Sequence, residues 1–268
     1  MEPLLLSIPK RKALQGLRNA IINRFEFHEL NVQDLISLAY VYNIQLKDWI
    51  LVHNIYASTF AGLYERNVVK SLMALFKERK NQIFVDVGAY AGLYTIIAAK
   101  HDLQVLAYEP NPINFRLLIE NIRLKCLERN VLPLNAAAGE RIGKAILKCP
   151  LSPIESSLMN RMSNSLKLKE IVVNVMPIDE AIRRYKLGPV GIMKIDVEGA
   201  GFKVLQGAEN TIRSYKPHII FEVHATFGDD EVKAVKSMKK FDYELKIIAQ
   251  RHQRNFSVLL TPVSKKEH

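Results

Sequence analysis

Cysteine is scarce: two residues in 268, Cys126 and Cys149, with no metal-ligand spacing. That argues against a disulfide framework or a thiolate zinc site and fits a reducing compartment. Long apolar runs are lacking as well. No stretch approaches the ~20 residues of a membrane-spanning helix. Leu4-Leu5-Leu6 is too short for a secretory core, and its basic cluster follows it instead of preceding it. The expectation is a soluble, cytoplasmic protein with no transmembrane segment. A G-x-G-x-x-G fingerprint is also missing, so the pyrophosphate cradle of a dinucleotide site is incomplete.

What is present is 49% hydrophobic and 24% charged residues, enough for one full α/β core plus an extension. The net charge of +11 raises the question of an anionic partner. The basic residues are spread along the chain, however, and the densest clusters are short (Lys10-Arg11-Lys12 and Lys239-Lys240), which favours solvated faces.

Residues 1–80 read as a helical N-terminal extension, with apolar positions at helical spacing through Leu14, Leu17 and Ile21, through Leu35, Leu38 and Val41, and through Val68, Leu72 and Phe76. Residues 81–268 read as the ligand-binding domain. It opens with IFVDVGAYAGLYTIIAAK, residues 83–100: a buried strand, a glycine turn at Gly88 and Gly92, then a helix. Such a unit brings a helix N-terminus to a nucleotide-like ligand. Asp86, two places before Gly88, would repel a phosphate and attract an ammonium. That combination suggests S-adenosyl-L-methionine, which carries an amine and a cationic sulfur. Glu109 follows Gly88 by 21 residues and ends the second strand, where a carboxylate can accept both ribose hydroxyls.

Later strands end on further polar groups. Val131–Leu134 ends at Asn135-Ala136, near the place of an adenine ring, and residues 151–169 form a serine-rich irregular segment around Ser156 and Ser157. Val190–Ile195 runs into Asp196 and Glu198, and Ile219–Val223 carries Glu222 and ends in His224. Open α/β sheets bind ligands at the carboxyl ends of their strands, so all these groups belong to one edge. Asp196, Glu198, Glu222 and His224 suit proton abstraction, or a divalent metal, although no metal is expected. The last two strands, joined by the five-residue turn at 251–255, must pair antiparallel. A parallel sheet closed by an antiparallel hairpin is the plan of class I methyltransferases.

FVDVGAYAGLYT, AYEPNPINFRLLIEN, LNAAAGE, GIMKIDVEGAGFKVLQGAENTI and PHIIFEVH, in this order, resemble the FkbM family of methyltransferases from about Tyr64-Glu65 to the C-terminus. The resemblance implies a Rossmann-like α/β fold, S-adenosyl-L-methionine as donor, and O-methylation of a hydroxyl on a sugar, glycan or other small molecule. It implies a donor site of Asp86, Gly88, Ala89, Tyr90, Gly92, Thr95, Glu109, Pro110, Asn111, Asn135, Ala136 and Asp196. Asp196, Glu198, Glu222 and His224 would face the acceptor. Two positions depart from the family pattern: Tyr90 stands where asparagine is usual, and Gly201 where glutamate is usual. RNA is the alternative acceptor, prompted by the positive charge. Against it, no Asn/Asp-Pro-Pro-aromatic motif follows the fourth strand.

Overall fold

The computed structural model describes residues 38–43, 46, 48–53, 65–150, 168–197, 199–224, 230–252 and 255–263. By contacts the chain divides into residues 1–38 and 39–268, and the second unit is described here. Its centre is a seven-stranded sheet of β3 (Ile83–Val87), β4 (Val105–Tyr108), β5 (Val131–Leu134), β8 (Val190–Ile195), β9 (His218–His224), β10 (Tyr243–His252) and β11 (Asn255–Pro262). The strand order is β10-β11-β9-β8-β3-β4-β5. β5, β4, β3, β8 and β9 are parallel, while β11 runs antiparallel to β9 and β10 antiparallel to β11. This is the expected plan. Every residue of β3, β4 and β8 is buried, as strands covered on both faces must be.

Helices supply that cover: α1 (Arg66–Glu78), α2 (Leu93–Lys100), α3 (Pro112–Leu124), α4 (Ile178–Arg184), α5 (Gly201–Gln206), α6 (Glu209–Tyr215) and α7 (Asp230–Ser237). α1 buries Val68, Leu72 and Phe76, and Phe76 meets Phe84 of β3 edge-on at 5.4 Å. α3 begins at Pro112 because Asn111 caps it: the Asn111 side chain accepts from Ile113 N at 2.9 Å, and proline fits the first turn. α5 and α6 follow one another as two separate helices. Gly207 separates them, pressed so close to Gly139 that a Cβ would lie 1.9 Å from its carbonyl oxygen. Asp179, in the first turn of α4, accepts from the Asn210 and Thr211 amides and so caps α6. β6 (Gly143–Pro150) and β7 (Leu168–Val175) form a separate antiparallel ribbon.

One expectation is corrected. The helix read through Leu38 and Val41 is replaced by β1 (Leu38–Asn43) and β2 (Asp48–His53), a two-stranded sheet. Both segments are dense in aromatic and β-branched residues, which favour strands, and three apolar residues are too few to fix a helical period. Asn43 makes the turn, its Oδ1 accepting from Leu46 N at 2.7 Å. Buried Asn121 of α3 then ties β2 to the glycine turn: its side chain pairs with both backbone groups of Leu51 and donates to the Ala91 carbonyl at 2.9 Å. The helical reading of residues 1–37 and the irregular segment around Ser156 and Ser157 lie outside the described residues. Among the described residues no helix is long and apolar enough to cross a membrane.

Candidate active site

The chain order reverses between β3 and β8: β4 and β5 lie on one side of β3, β8 and β9 on the other. The crevice at the carboxyl ends of such a pair is where an open α/β sheet takes its ligand. Asp86, Gly88 and Asp196 stand there. The two strands close tightly, with Asp196 N donating to the Val87 carbonyl at 3.0 Å. Gly88 has φ +80°, and a Cβ on it would lie 2.0 Å from the Asp196 carbonyl oxygen, so only glycine fits.

The amides of the glycine turn are engaged within the protein. Gly88 N and Ala89 N donate to the Tyr108 carbonyl at 3.0 and 2.9 Å, and Gly92 N to the Ala89 carbonyl at 2.8 Å. Tyr90 N donates to Glu109 Oε2 at 2.8 Å. This turn is therefore no phosphate cradle. Asp86 is fully buried; its Oδ2 accepts from Thr95 Oγ1 at 2.6 Å, and its Oδ1 has no hydrogen-bond partner among the described residues. Burial raises its pKa, against the opposing charge of Lys194 and the Thr95 hydrogen bond. An orphaned buried carboxylate oxygen is satisfied by a ligand ammonium, so Asp86 fits the amine end of S-adenosyl-L-methionine.

Glu109, also buried, accepts from the Tyr90 and Asn111 amides, at 2.8 and 2.9 Å. Burial pushes its carboxyl up to about 7, and those two amides oppose the rise. Oε1 also takes the Asn114 side-chain amide at 3.4 Å, whereas Oε2, with the Tyr90 amide, keeps the acceptor capacity that a ribose hydroxyl requires. Other residues expected at the donor site act as braces. The Asn135 side chain donates to the Glu109 and Pro110 carbonyls at 2.9 and 3.2 Å. Asn111 caps α3, and buried Thr95 orients Asp86. Ala136 is buried in the core.

On the acceptor side, Asp196, Glu222 and His224 converge. His224 Nε2 lies 3.3 Å from Glu222 Oε1 and 3.9 Å from Asp196 Oδ1. Glu198 lies outside the described residues. Burial by itself would lower the His224 pKa, but the Glu222 hydrogen bond and the Asp196 charge push it up to about 9. An unperturbed histidine titrates near 6.5; the neighbours of this one keep it an imidazolium at neutral pH. Glu222 is held down to about 2, because hydrogen bonding to His224 and the charge of Lys194 outweigh its burial.

Three participants escaped the sequence reading. Lys194 is buried, lies 2.8 Å from Asp196 Oδ2 and sits 4.4 Å above the Tyr94 ring. Its signal was in the strand: residues two apart share a face, so Lys194 and Asp196 had to meet. Desolvation opposes its charge, yet Asp196, Glu65 and Asp86 raise its pKa. Glu231 of α7 is buried and joins two strand ends, Oε1 accepting from Gly199 N at 2.9 Å and Oε2 from His224 N. Glu65, just before α1, hydrogen-bonds to Glu222. Neither glutamate has a local sequence cue. Ligand atoms of Asp196, Glu222 and His224 lie within 4.8 Å of one another, a span a divalent ion could bridge. Lys194 already supplies positive charge beside them. None of these residues lines the open groove of about 920 Å³ bounded by Asp179, Arg183, Asn210 and Tyr215.

Comparison with known proteins bears on the family and the fold. The chain is similar to the hexuronic acid methyltransferase AglP of Haloferax volcanii, 26% identical over 181 residues, 68% of this chain and 71% of that protein. It is also similar to the methyltransferase sdnD of Sordaria araneosa, 24% identical over 192 residues, covering 60% of this chain and 74% of that one. Its fold matches the crystal structure of an FkbM methyltransferase from Methylobacillus flagellatus KT with a TM-score of 0.50 and 16% identity. That match covers 74% of this chain and 56% of the other, so the chain spans little more than half the length of that structure. The family model for the methyltransferase FkbM domain covers residues 86–251, from the buried aspartate of the crevice into the closing hairpin. The chain belongs to the FkbM methyltransferases.

Proposed function

We propose that the protein uses S-adenosyl-L-methionine to methylate a hydroxyl on a sugar, glycan or related small molecule. The observation that carries this reading is the pairing, at one crevice, of a buried carboxylate with an orphaned oxygen, Asp86, and a polar cluster at the neighbouring strand ends, Asp196, Glu222 and His224. Asp86 would hold the donor's amine, Glu109 its ribose. The bound donor supplies a methyl group on cationic sulfur.

Asp196 is the group best suited to take the acceptor proton. Its side chain is 30% exposed, the most open of the three, whereas Glu222 is buried and His224 is already protonated at neutral pH. Burial and the Glu222 charge raise the Asp196 pKa, despite Lys194. A raised pKa makes a carboxylate a better base. Asp196 would take the hydroxyl proton as the acceptor oxygen received the methyl group that the donor would supply, the leaving electron pair staying with the donor's sulfur. Lys194 and the His224 imidazolium flank that carboxylate and orient it. Positioning of oxygen, carbon and sulfur in line supplies most of the acceleration. No metal takes part in this scheme.

A hydroxyl acceptor is favoured over a polyanion because carboxyl groups crowd this edge, and the hexuronic acid methyltransferase similarity supports a sugar. The test is transfer of labelled methyl from S-adenosyl-L-methionine to separated glycans, lipids, RNA and small molecules. Label in a saccharide, stable to alkali as an ether, is expected. Label in RNA alone, or in an alkali-labile ester, would refute the hydroxyl reading.

A further inference from the structure

The two edges of the central sheet differ in what they offer another strand. β5 is four residues long and carries Pro133, which limits the pairing it can extend. At the opposite edge β10 contains no proline, and among the described residues no strand pairs with its outer side. Its ladder with β11 runs without irregularity from Tyr243 to Ile247. One hydrogen bond shows which backbone groups face outward. Val263 N donates to the Asp242 carbonyl at 2.8 Å, just beyond the Tyr243–Pro262 pair, and Pro262 has no N–H to give. Bonded and non-bonded pairs alternate along an antiparallel ladder. Glu244 and Lys246 therefore bond to β11, and the N–H and C=O groups of Tyr243, Leu245 and Ile247 point away from it.

The side chains along this edge are self-complementary. Leu245 and Ile247, on one face, are 45% and 56% exposed. Glu244 and Lys246, on the other, are exposed and opposite in charge. A second β10 laid antiparallel along the edge, with Leu245 opposite Leu245, sets each Glu244 against a Lys246 and each Tyr243 against an Ile247. Every outward N–H and C=O over residues 243–247 then meets its counterpart. A slide of one residue sets outward groups against inward ones. A slide of two, in either direction, sets Glu244 against Glu244 or Lys246 against Lys246, and like charges directly opposite are destabilising. We propose that β10 is a self-association surface, residues 243–247 pairing antiparallel with the same residues of a second copy about a two-fold axis. Such an axis turns one sheet end for end against the other, so the two crevices open at opposite rims of the joined sheet. Self-association of this kind is independent of what the crevice methylates.

The test is sedimentation velocity of the full chain over a range of concentrations, beside amide exchange by NMR. An edge this short buries less than a standard interface, so the dissociation constant should be on the order of 10–100 μM. The Tyr243, Leu245 and Ile247 amides should exchange slowly only where the dimer forms. Those of Glu244 and Lys246, already bonded to β11, should be slow throughout. Glu244→Lys and Lys246→Glu each set like charges opposite one another and should weaken the dimer about tenfold or more. The double exchange, Glu244→Lys with Lys246→Glu, restores opposite charges and should bring the dissociation constant back to within about threefold of the parent, as should an equal mixture of the two single variants. All three variants change exposed residues, and thermal unfolding checks that they fold. A parent chain still monomeric at about 500 μM would overturn the proposal. So would a dimer whose newly protected amides lie elsewhere, single variants that associate as tightly as the parent, or a double exchange as weak as the single ones.

Discussion

Replacing Asp86 by asparagine separates ligand binding from folding. In the parent chain the carboxylate is fully buried, one oxygen accepts from Thr95 at 2.6 Å, and the other is left for the ligand. Asparagine keeps the shape and one acceptor for the Thr95 hydroxyl. Its amide nitrogen then takes the place of the orphaned oxygen and presents N–H groups toward an ammonium. The lost charge-assisted hydrogen bond is worth about 1.5–3 kcal/mol, which at about 1.4 kcal/mol per factor of ten lowers donor affinity about 10- to 100-fold. The opposed N–H groups push the loss toward the upper end. Folding responds differently. A neutral side chain escapes the burial penalty that raises the Asp86 pKa, while Lys194 loses one neighbouring charge. These opposing effects leave stability of the ligand-free chain within about 1 kcal/mol of the parent. Calorimetry with S-adenosylmethionine, S-adenosylhomocysteine and methylthioadenosine, beside thermal unfolding, reads both. The first two ligands should weaken together, and methylthioadenosine, which has no amine, should bind parent and variant alike. Unchanged affinity for all three in a folded variant would refute the assignment of Asp86.

With Asp196 as base and His224 as imidazolium, kcat should fall as pH rises through about 9, where His224 loses its proton; a rate that climbs through that range would make His224 the base. Stability of the ligand-free chain should fall between pH 6 and 9. Glu109 and Glu65, pushed mainly by burial to about 7 and 8, bind protons more tightly folded than unfolded, and so does His224 at about 9; each contribution fades as pH rises through these values. Thermal unfolding across this range checks it, about 2–4 °C per kcal/mol for a chain of this size; a melting temperature that rises with pH would contradict it. Tyr90→Asn should raise stability by up to about 1 kcal/mol, because φ at Tyr90 is 53° and asparagine tolerates that region better. S-adenosylhomocysteine affinity should hold, since the Tyr90 amide keeps its bond to Glu109; a less stable variant would show that the tyrosine ring outweighs the strain.

The sheet was legible because its strands are short apolar runs punctuated by glycine, proline and acid, and the hairpin followed from a turn too short for a crossover. The carboxyl edge was legible for the same reason: topology alone puts Asp86, Glu109, Asp196, Glu222 and His224 on one side. What those groups do to one another was not. The shift of His224 comes from Glu222 and Asp196 on different chain segments, and the helix boundary at Gly207 from a backbone contact with Gly139. The residues at β1 misled because three apolar positions are too few to fix a helical period, and the aromatic and β-branched content of the segment was the better guide. Gly201, where the family usually carries glutamate, had no reading from sequence. A Cβ there would lie 2.1 Å from the Phe221 ring, so this core has filled the space with the aromatic side chain.

A crystal structure with S-adenosylhomocysteine is the most direct measurement of the central claim. Density should run along the crevice between β3 and β8, with the amine on Asp86 Oδ1, the ribose hydroxyls on Glu109 and the sulfur toward Asp196 and His224. Density confined to the groove bounded by Asp179 and Tyr215, or a ribose held away from Glu109, would contradict it.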